Sequence, residues 1–274
     1  MPFETKVLKA LNFKIEKGEF IGIIGHTGCG KTTLIQLMNG LLEPTVGKVF
    51  IDGVDIMSNR SNLKRIRKKI GLSFQYPEHQ LFEENVFREV AFGPKNMGIE
   101  KDTLEKTVKQ ALKMVSINYQ DYKARSPFNL SGGEMRRIAI ASVLSFDPDV
   151  LILDEPTASL DPLSRKNMLN LVGELHNKYG KTIIMVSHNM EAIAELTERV
   201  LVMEKGKIVL DGNTRDIFCH HYQKLENIGL TIPQVTKIMK RMKEKGKNVN
   251  SDVLTVKEAM QEIIKLKIEK KRQQ

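Results

Sequence analysis

The chain has 274 residues, of which 41% are hydrophobic and 28% charged, and its formal net charge is +10. This composition is ordinary for a globular protein, and the length suits one large domain or one domain with an appendage. Two isolated cysteines and six scattered histidines exclude a disulfide framework and a cysteine- or histidine-based metal site. No apolar run approaches the roughly 18 residues that a membrane-spanning helix needs.

The positive charge is concentrated near the C-terminus. From Val235 to Gln274 the chain has 12 Lys or Arg against 5 Asp or Glu, which is a net of +7. Such a segment can contact nucleic acid or an anionic membrane surface. The solvated faces of terminal helices explain it more simply, and this is what we expect.

The first predicted elements are two strands and a glycine-rich loop. Apolar residues alternate over residues 6–15, which predicts a half-buried strand whose inward set is Val7, Leu11, Phe13 and Ile15. The apolar run at residues 19–24 predicts a buried strand, and residues 33–41 carry an apolar helical pattern. The loop between them reads Gly25-His26-Thr27-Gly28-Cys29-Gly30-Lys31-Thr32-Thr33 and has the spacing of a phosphate-binding P-loop.

The residue types of this loop fit phosphate binding. Its glycines permit close approach of the backbone, so that N–H groups and the helix N-terminus face the phosphates. We expect Lys31 to reach the β- and γ-phosphates of a nucleotide and the Thr32 hydroxyl to ligate Mg²⁺. The hydroxyl of Thr33 is expected on the α-phosphate side.

Beyond the P-loop helix, the predicted elements become helical. Strands at 48–51 and 70–74 predict a β layer stitched to the P-loop core. Helical patterns then follow at 84–92, 102–116 and 132–146 without a strand between them, which predicts an inserted helical subdomain at about 76–147.

The last of these helices opens with Leu130-Ser131-Gly132-Gly133-Glu134. A serine at a helix N-terminus followed by two glycines exposes a hydroxyl and backbone N–H groups, which makes a second anion cradle. One active site does not need two cradles. We therefore expect this one to serve a nucleotide held by another subunit.

Strands and helices alternate again from residue 150, which predicts a largely parallel sheet. The predicted strands are 150–153, 182–186, 199–203 and 207–210, and the helices are 162–178 and 190–197. The first of these strands ends in two carboxylates, Asp154 and Glu155. We expect Asp154 to hold Mg²⁺ and Glu155 to polarise an attacking water as general base.

Two helices are predicted after Gly212, at 233–244 and 255–271. The second begins with Thr255 and Glu258 at the spacing of a capping box. Its apolar residues fall on one face, which favours core or subunit contact over a membrane surface. These residues are Val256, Ala259, Met260, Ile263, Ile264 and Ile268.

In their order along the chain, these motifs resemble those of the nucleotide-binding subunits of ATP-binding-cassette (ABC) transporters. The resemblance covers about residues 5–212. The matching segments are Gly25 to Thr32 (Walker A), Gln75 (Q-loop), Leu130 to Glu134 (signature LSGGQ, with Glu for Gln), Val150 to Glu155 (Walker B), Ser159 to Asp161 (D-loop) and His188 (switch histidine).

The resemblance implies a fold and a domain division. The fold is an α/β P-loop NTPase core with a mostly parallel sheet, an antiparallel β layer, the inserted α-helical subdomain and a C-terminal helical extension. The ATPase domain would span residues 1–212. The extension, residues 213–274, would contact a dimer partner.

The resemblance also implies an ATPase that binds ATP and Mg²⁺. Gln75 would contact Mg²⁺ and the attacking water, Asp161 would act across a dimer interface, and His188 would contact the γ-phosphate and position Glu155. Two subunits would close head to tail around two ATP molecules, and a lone chain would be nearly inactive. The opposite subunit's ATP would be bound by Ser131, Gly132 and Gly133.

A narrower resemblance is to the ATPases of energy-coupling-factor (ECF) transporters, which import vitamins or metal ions such as cobalt and nickel. The similar segments are Gly25 to Gly28, Phe74 to Phe82, Ala91 to Gly98, Met135 to Arg137 and Gly229 to Pro233. Thr27 and residues 135–137 are typical of the second of two paralogous ATPases. The implied partners are a paralogous ABC ATPase in a heterodimer, with a homodimer as the alternative, a transmembrane coupling subunit and a substrate-binding membrane subunit. The chain would then lie peripherally on the cytoplasmic face of the cell membrane.

Three features depart from the family pattern. The N-terminal strand and the aromatic residue that stacks on adenine are missing, and Phe3 lies just after that position, so we expect the true start to precede Met1. Glu134 replaces the final glutamine of the signature, which we expect to be tolerated. Cys29 occupies a P-loop position where serine or glycine is usual.

Two other functions remain open. The chain could be the ATPase subunit of another kind of ABC importer, although residues 75–98 argue against it. It could also be an ABC ATPase that acts on nucleic acid outside transport. Only the basic tail favours that function, because such proteins usually carry two cassettes or a long coiled-coil insertion, and we expect no nucleic-acid partner.

Overall fold

The computed structural model describes residues 6–58, 60–76 and 80–272, without the side chains of 60–62, 64 and 269–272. Phe3 and residues 77–79 of the predicted loop lie outside this range. The chain divides into two compact units. The first comprises Met1–Phe13, Phe20–Lys31 and Ser187–Gln274, and the second comprises Lys14–Glu19 and Thr32–Val186.

The elements are numbered in chain order. The strands are β1 (Phe20–Gly25), β2 (Phe50–Ile51), β3 (Val54–Asp55), β4 (Ile70–Ser73), β5 (Val150–Asp154), β6 (Thr182–Val186), β7 (Arg199–Glu204) and β8 (Lys207–Asn213). The helices are α1 (Lys31–Met38), α2 (Arg60–Lys69), α3 (Val86–Asn96), α4 (Lys101–Met114), α5 (Tyr119–Tyr122), α6 (Gly132–Leu144), α7 (Pro162–Asn177), α8 (Met190–Leu196), α9 (Thr214–Cys219), α10 (Tyr222–Asn227), α11 (Gln234–Glu244) and α12 (Val256–Arg272).

The second unit is built around strand β5. β5 pairs in parallel with β4 and with β6, so that Leu151 lies beside Gly71 on one side and Ile183 on the other. Almost all residues of β5 and β6 are buried, as expected for parallel strands that are covered on both faces. Helices α3, α4, α5 and α6 confirm the predicted helical segment, and the structure describes no strand between residues 80 and 147.

The first unit contains β1, β7 and β8. β1 pairs in parallel with β7, and β7 pairs antiparallel with β8. The two-residue connection, Lys205 and Gly206, has positive φ at both positions, which is the backbone that a tight hairpin turn with right-handed strand twist requires. β1 ends at the P-loop, so this pairing fixes where the loop begins.

The C-terminal helices α11 and α12 share a small apolar core in the first unit, made of Met239, Val249, Val253 and Ala259. The predicted apolar face of α12 is therefore divided. Ala259 and Ile263 pack against this core. The remaining members are exposed, and these are Val256, Met260, Ile264 and Ile268.

The strand predicted at residues 6–15 is wrong. This segment contains no strand, and its backbone contact is the Lys9 amide donating to the Gly206 carbonyl at 2.8 Å. Ala10 has φ +50°, which interrupts an extended conformation. Leu11, Phe13 and Ile15 are half-buried as the alternation predicts, whereas Val7 is exposed.

Candidate functional site

The P-loop lies in the first unit, directly after β1. Gly25 has φ +155°, and a Cβ atom at this position would lie 2.4 Å from the carbonyl oxygen of Met203 on β7. A side chain cannot occupy that space, so glycine is required where the loop leaves the sheet. His26, Thr27 and Gly28 are exposed at the turn of the loop.

The side chain of Lys31 folds back over the loop. Lys31 is the first residue of α1 and is 7% exposed. Its Nζ donates to the carbonyl oxygens of Gly25 at 2.6 Å and His26 at 2.9 Å. The ammonium group is therefore held inside the turn of the loop, where positive charge and backbone N–H groups can face an anion.

Cys29 lies inside the same turn. It is 6% exposed, and its Sγ is 4.0 Å from Lys31 Nζ. Its carbonyl oxygen accepts a hydrogen bond from the amide of Gly206 at 3.0 Å. The thiol thus has little free space around it, and a bulky group attached there would displace the lysine.

His26 links the P-loop to the region after the sheet. Its ring donates through Nε2 to the carbonyl oxygen of Ile228, at the end of α10. A Cβ atom on the next residue, Gly229, would lie 2.9 Å from the same nitrogen. The P-loop motif includes His26 but does not predict this contact, because every residue has a backbone carbonyl and the sequence does not indicate which one is the partner.

His188 is an exposed residue of the first unit and directly precedes the N-cap of α8. Partial burial lowers its pKa, and the nearby charges of Lys31 and His26 lower it further. A lowered pKa keeps the imidazole neutral near pH 7, so that one ring nitrogen donates and the other accepts.

The second unit carries the two oxygen side chains expected to hold Mg²⁺. The Thr32 hydroxyl donates to Asp154 Oδ2 at 3.4 Å, and Asp154 is 6% exposed at the end of β5. Hydroxyl and carboxylate oxygens are the ligand types that Mg²⁺ prefers. The described part of the chain has no group of three or more His, Cys, Asp or Glu that could hold a metal.

Glu155 follows Asp154 in a strained conformation. Its φ is +49°, a left-handed value that costs a non-glycine residue about 1–2 kcal/mol. Two contacts hold it there. Its amide donates to the Val186 carbonyl at 2.9 Å, and its own carbonyl accepts from Arg136 Nη1 at 2.8 Å.

Arg136 joins two of the predicted site residues. It is 5% exposed on α6, and its Nη2 donates to the carbonyl oxygen of Gln75 at 2.6 Å while its Nη1 donates to Glu155. One guanidinium group therefore fixes the backbone of Gln75 relative to that of Glu155. The motifs gave Arg136 no chemical role, because Arg137 stands directly beside it and the residue type alone does not indicate which of the two arginines is buried.

The predicted second anion cradle, Ser131, Gly132 and Gly133, lies at the start of α6. Ser131 is the N-cap of α6, and with Glu134 it forms a capping box. Gly132 and Gly133 occupy the first turn of the helix. The cradle lies entirely within the second unit.

Asp161 caps helix α7 in the second unit. Its Oδ1 accepts from the amides of Leu163 and Ser164, both at 3.0 Å. Hydrogen bonds from the side chain and the backbone of Ser164 are the main reason that the pKa of Asp161 is lowered. The carboxylate is therefore ionised and exposed at a helix start.

Exposed aromatic residues cluster in the sequence after Ser73, and they are Phe74, Tyr76, Phe82 and Phe92. The rings of Phe82 and Phe92 meet edge to face with centroids 4.7 Å apart. Glu89 is 3% exposed and accepts from the amides of Phe82 and Glu83, both at 2.9 Å. A buried carboxylate thus fixes the loop that presents an exposed aromatic surface.

No helix within the described ranges has both the length and the apolar character needed to cross a bilayer.

Comparisons with known proteins agree with the motifs. The family described as ABC transporter matches residues 8–158. The chain is 49% identical over 265 residues to the energy-coupling factor transporter ATP-binding protein EcfA2 of Clostridium tetani, covering 97% of this chain and 92% of that protein. It is 50% identical over 267 residues to EcfA2 of Clostridium perfringens, covering 96% of this chain and 93% of that protein.

Among solved structures, CbiO1 from Clostridium perfringens, part of the ABC transporter complex cbiONQ, is similar with a TM-score of 0.73 and 36% identity. The alignment covers 85% of this chain and 92% of that one. A dimeric post-hydrolysis state of the ATP-binding cassette MJ0796, bound to ADP and Pi, has a TM-score of 0.68 at 28% identity. It covers 76% of this chain and 90% of that one.

Proposed function

We infer the function of this chain from its family, because it belongs to the ABC transporter family and, within it, to the ATP-binding proteins of energy-coupling factor transporters. It is an ATPase with the P-loop NTPase fold that this family shares. We propose that it hydrolyses ATP to drive an importer for vitamins or transition-metal ions. The observation that supports this proposal is the contact between Thr32, which follows Lys31 in the sequence, and Asp154, which precedes Glu155, because both side chains are of the type that Mg²⁺ prefers.

The residues of the chain suggest how the reaction proceeds. Lys31 leaves the carbonyls of Gly25 and His26 and binds the β- and γ-phosphates, while the P-loop amides bind the phosphate oxygens. Thr32, Asp154 and the Gln75 side chain would hold Mg²⁺. When bound, Mg²⁺ supplies positive charge that neutralises the phosphate oxygens during the transfer.

Glu155 is the proposed general base. Its carboxylate takes a proton from the water that attacks the γ-phosphorus, and the bond from that phosphorus to the bridging oxygen breaks, which releases ADP and phosphate. The neutral ring of His188 donates a hydrogen bond to the γ-phosphate. Arg136 keeps the backbone of Glu155 in register with that of Gln75.

The chain is proposed to act as a head-to-tail dimer. Ser131, Gly132 and Gly133 form an anion cradle that one P-loop does not need, so they bind the nucleotide of the partner subunit. Asp161 contributes to the same interface. We propose a paralogous ABC ATPase as the partner, with a homodimer as the alternative.

The domain boundaries remain a proposal as well. An ATPase domain of residues 1–212, with the helical subdomain inserted at about 76–147, precedes an extension of residues 213–274. The exposed residues Val256, Met260, Ile264 and Ile268 of α12 suit a contact with the dimer partner.

Membrane partners are proposed from the exposed aromatic surface. Phe82 and Phe92 are apolar, exposed and held by a buried Glu89, which suits docking of a transmembrane coupling subunit. A further membrane subunit would bind the solute. This arrangement places the chain peripherally on the cytoplasmic face of the cell membrane.

The function can be tested by recovering the full chain from its own cells with a tag and a mild detergent. We expect a second ABC ATPase and a polytopic membrane protein to copurify in stoichiometric amounts. The same preparation carrying Phe82→Ser should lose the membrane protein and keep the ATPase. Recovery of nucleic acid or ribosomes without any membrane protein would contradict the proposal.

A further inference from the structure

Glu134 is the residue at which the signature of this chain departs from its family pattern, and its carboxylate is fully engaged. Oε2 accepts from the Ser131 hydroxyl at 2.7 Å and from the Ser131 amide at 2.8 Å. Oε1 accepts from the hydroxyl of Tyr122 at 2.5 Å. Hydrogen bonds from Ser131 and Tyr122 lower the pKa of Glu134 to about 2, so the carboxylate is ionised at any physiological pH.

These groups line an open cavity of about 300 Å³ at the start of α6. The cavity walls include Tyr122, Ser131, Gly133, Glu134, Arg137 and Ser164. The Ser131 hydroxyl has one proton, and here that proton is directed to Glu134. Ser131 therefore faces the cavity with its lone pairs rather than with its donor.

We propose that Glu134 is a positioning residue that holds the Ser131 hydroxyl away from the partner subunit's nucleotide and so weakens ATP binding at the composite site formed by this signature loop. The inference rests on the proposed head-to-tail dimer. To donate to the γ-phosphate, Ser131 must first leave a charge-assisted hydrogen bond. The phosphate must also approach an ionised carboxylate, which repels it.

Glutamine at this position would have neither effect. Its side chain carries no charge, and its amide can donate to the Ser131 oxygen and leave the hydroxyl proton free to turn outward. Glutamine also completes a capping box as well as glutamate does, so the start of α6 is kept. A role for Glu134 in helix capping alone therefore predicts that Glu134→Gln changes nothing.

The experiment measures ATP hydrolysis by the complex purified through a tag on the full chain. Glu134→Gln should lower the KM for ATP about threefold or more, with kcat changed by less than about twofold, because a charged hydrogen bond no longer competes for Ser131. The difference in KM should shrink as salt is raised, since salt screens the repulsion. An unchanged or higher KM in Glu134→Gln would overturn the proposal.

The matched control is Glu105→Gln. Glu105 is also a carboxylate that accepts from a tyrosine hydroxyl, Tyr119 at 3.1 Å, but it lies on α4 and its described contacts do not include Ser131. This variant should keep the wild-type KM. An equal fall in KM would mean that any lost negative charge has the effect, which would overturn the specific role of Glu134.

A double-mutant cycle tests whether the effect passes through Ser131. In a Ser131→Ala background, Glu134→Gln should lower KM by less than it does with Ser131 present, because only the repulsion by the carboxylate remains to be removed. A fall in KM as large as with Ser131 present would overturn the positioning role. Wild-type hydrolysis is measured first and tests the proposed function itself, so its absence would overturn both proposals, whereas hydrolysis with no Glu134 effect overturns this one alone.

Discussion

Cys29, Lys31 and Arg136 make contacts that single substitutions can remove. Lys31 is held by two carbonyl oxygens of its own loop, so an anion must replace those partners when it binds. Arg136 is held by two carbonyl oxygens of other segments, so it fixes backbone rather than binding a ligand. Replacing Lys31 and replacing Arg136 should therefore have different effects on the kinetics of ATP hydrolysis.

Cys29 should be the thiol through which alkylation inactivates the enzyme. Its Sγ lies 4.0 Å from Lys31 Nζ, so a maleimide adduct would exclude the phosphates. The other thiol, Cys219, is 1% exposed, and burial raises its pKa to about 11, which keeps it protonated and unreactive. We expect N-ethylmaleimide to abolish ATP hydrolysis, and bound ATP to protect the enzyme from this inactivation. The variant Cys29→Ser should hydrolyse ATP and should not be inactivated by the reagent. Mass spectrometry would measure the extent of labelling at Cys29. Full activity after complete labelling would contradict the prediction.

Arg136→Met should lower kcat more than it changes nucleotide affinity. Each bond from a charged donor contributes about 1.5–3 kcal/mol, so losing both frees the backbone of Gln75 and Glu155. We expect kcat to fall about tenfold or more, with the Kd for ATP within about threefold of wild type. Arg136→Lys should recover part of kcat, because it keeps a donor.

Arg88→Met is the control for that variant. Arg88 is exposed on α3 and pairs with Glu84 one turn away, so its loss should leave kcat unchanged. If Arg136→Met kept the wild-type kcat, or lost ATP binding to the same extent as kcat, the guanidinium group would not position Glu155.

The residues proposed for phosphate and metal chemistry could be predicted from the sequence, because hydroxyl, ammonium and carboxylate groups at motif spacing indicate that chemistry. The Thr32–Asp154 contact agrees with this expectation. The sequence did not reveal which groups Arg136, His26 and Tyr122 contact. Two of these bind backbone carbonyls, which any residue provides, and the third binds a residue 12 positions away in the chain.

At the level of elements, prediction worked where burial leaves a clear pattern of apolar residues in the sequence. Strands β1, β5 and β6 are continuous apolar runs, and helices α4, α6 and α7 were each predicted to within about two residues, which is the usual uncertainty of a helix end. Helix α2 was not predicted, because eight of its ten residues, RSNLKRIRKK, are polar or basic, and the two apolar residues are too few to show a helical period. Short helices such as α5, α9 and α10 leave too few residues for a period to emerge.

Charged side chains tie the beginning of the C-terminal extension to its later part. Arg215 Nη2 donates to Glu258 Oε1 at 2.7 Å, which joins α9 to α12. His220 contacts Asp216 Oδ1 at 2.9 Å through Nδ1 and Asp252 Oδ2 at 3.1 Å through Nε2. The His220 contacts need a protonated ring, since both nitrogens then donate.

This histidine should make the stability of the extension depend on pH. Hydrogen bonds to Asp216 and then to Asp252 raise the pKa of His220 above its ordinary 6.5. A group whose pKa is raised on folding stabilises the fold fully below the unfolded value and loses that contribution as pH rises through the folded value. We therefore expect the Tm of wild type to exceed that of His220→Gln by more at about pH 6 than at about pH 8.5.

Asp252→Asn provides the matched variant. It removes one of the two carboxylates that face His220 and keeps the shape of the side chain. The pH dependence of the Tm difference should therefore be smaller in this background, as followed by thermal unfolding. A difference that grows with rising pH would have the wrong sign and would exclude the protonated bridge.

At the scale of the whole molecule, we propose that the chain carries parts of a site that it does not itself complete. The P-loop, the Thr32–Asp154 pair and Glu155 are the residues proposed to act on the chain's own nucleotide, whereas the Ser131 cradle is proposed to bind the nucleotide of a partner. The similarity to a dimeric cassette bound to ADP and Pi supports a partner for that cradle. Composition alone predicted a globular chain with a basic end, and only motif order along the chain identified the family.

The most direct test of this account is ATP binding and hydrolysis by the purified complex carrying Glu155→Gln. Hydrolysis should fall by about 10²-fold or more while ATP still binds and the ATP-bound dimer accumulates, because only the proton acceptor is lost. Lys31→Ala, measured alongside, should instead weaken ATP binding itself. Hydrolysis by Glu155→Gln at the wild-type rate would contradict the assignment of Glu155 as the general base and, with it, the central account of the site.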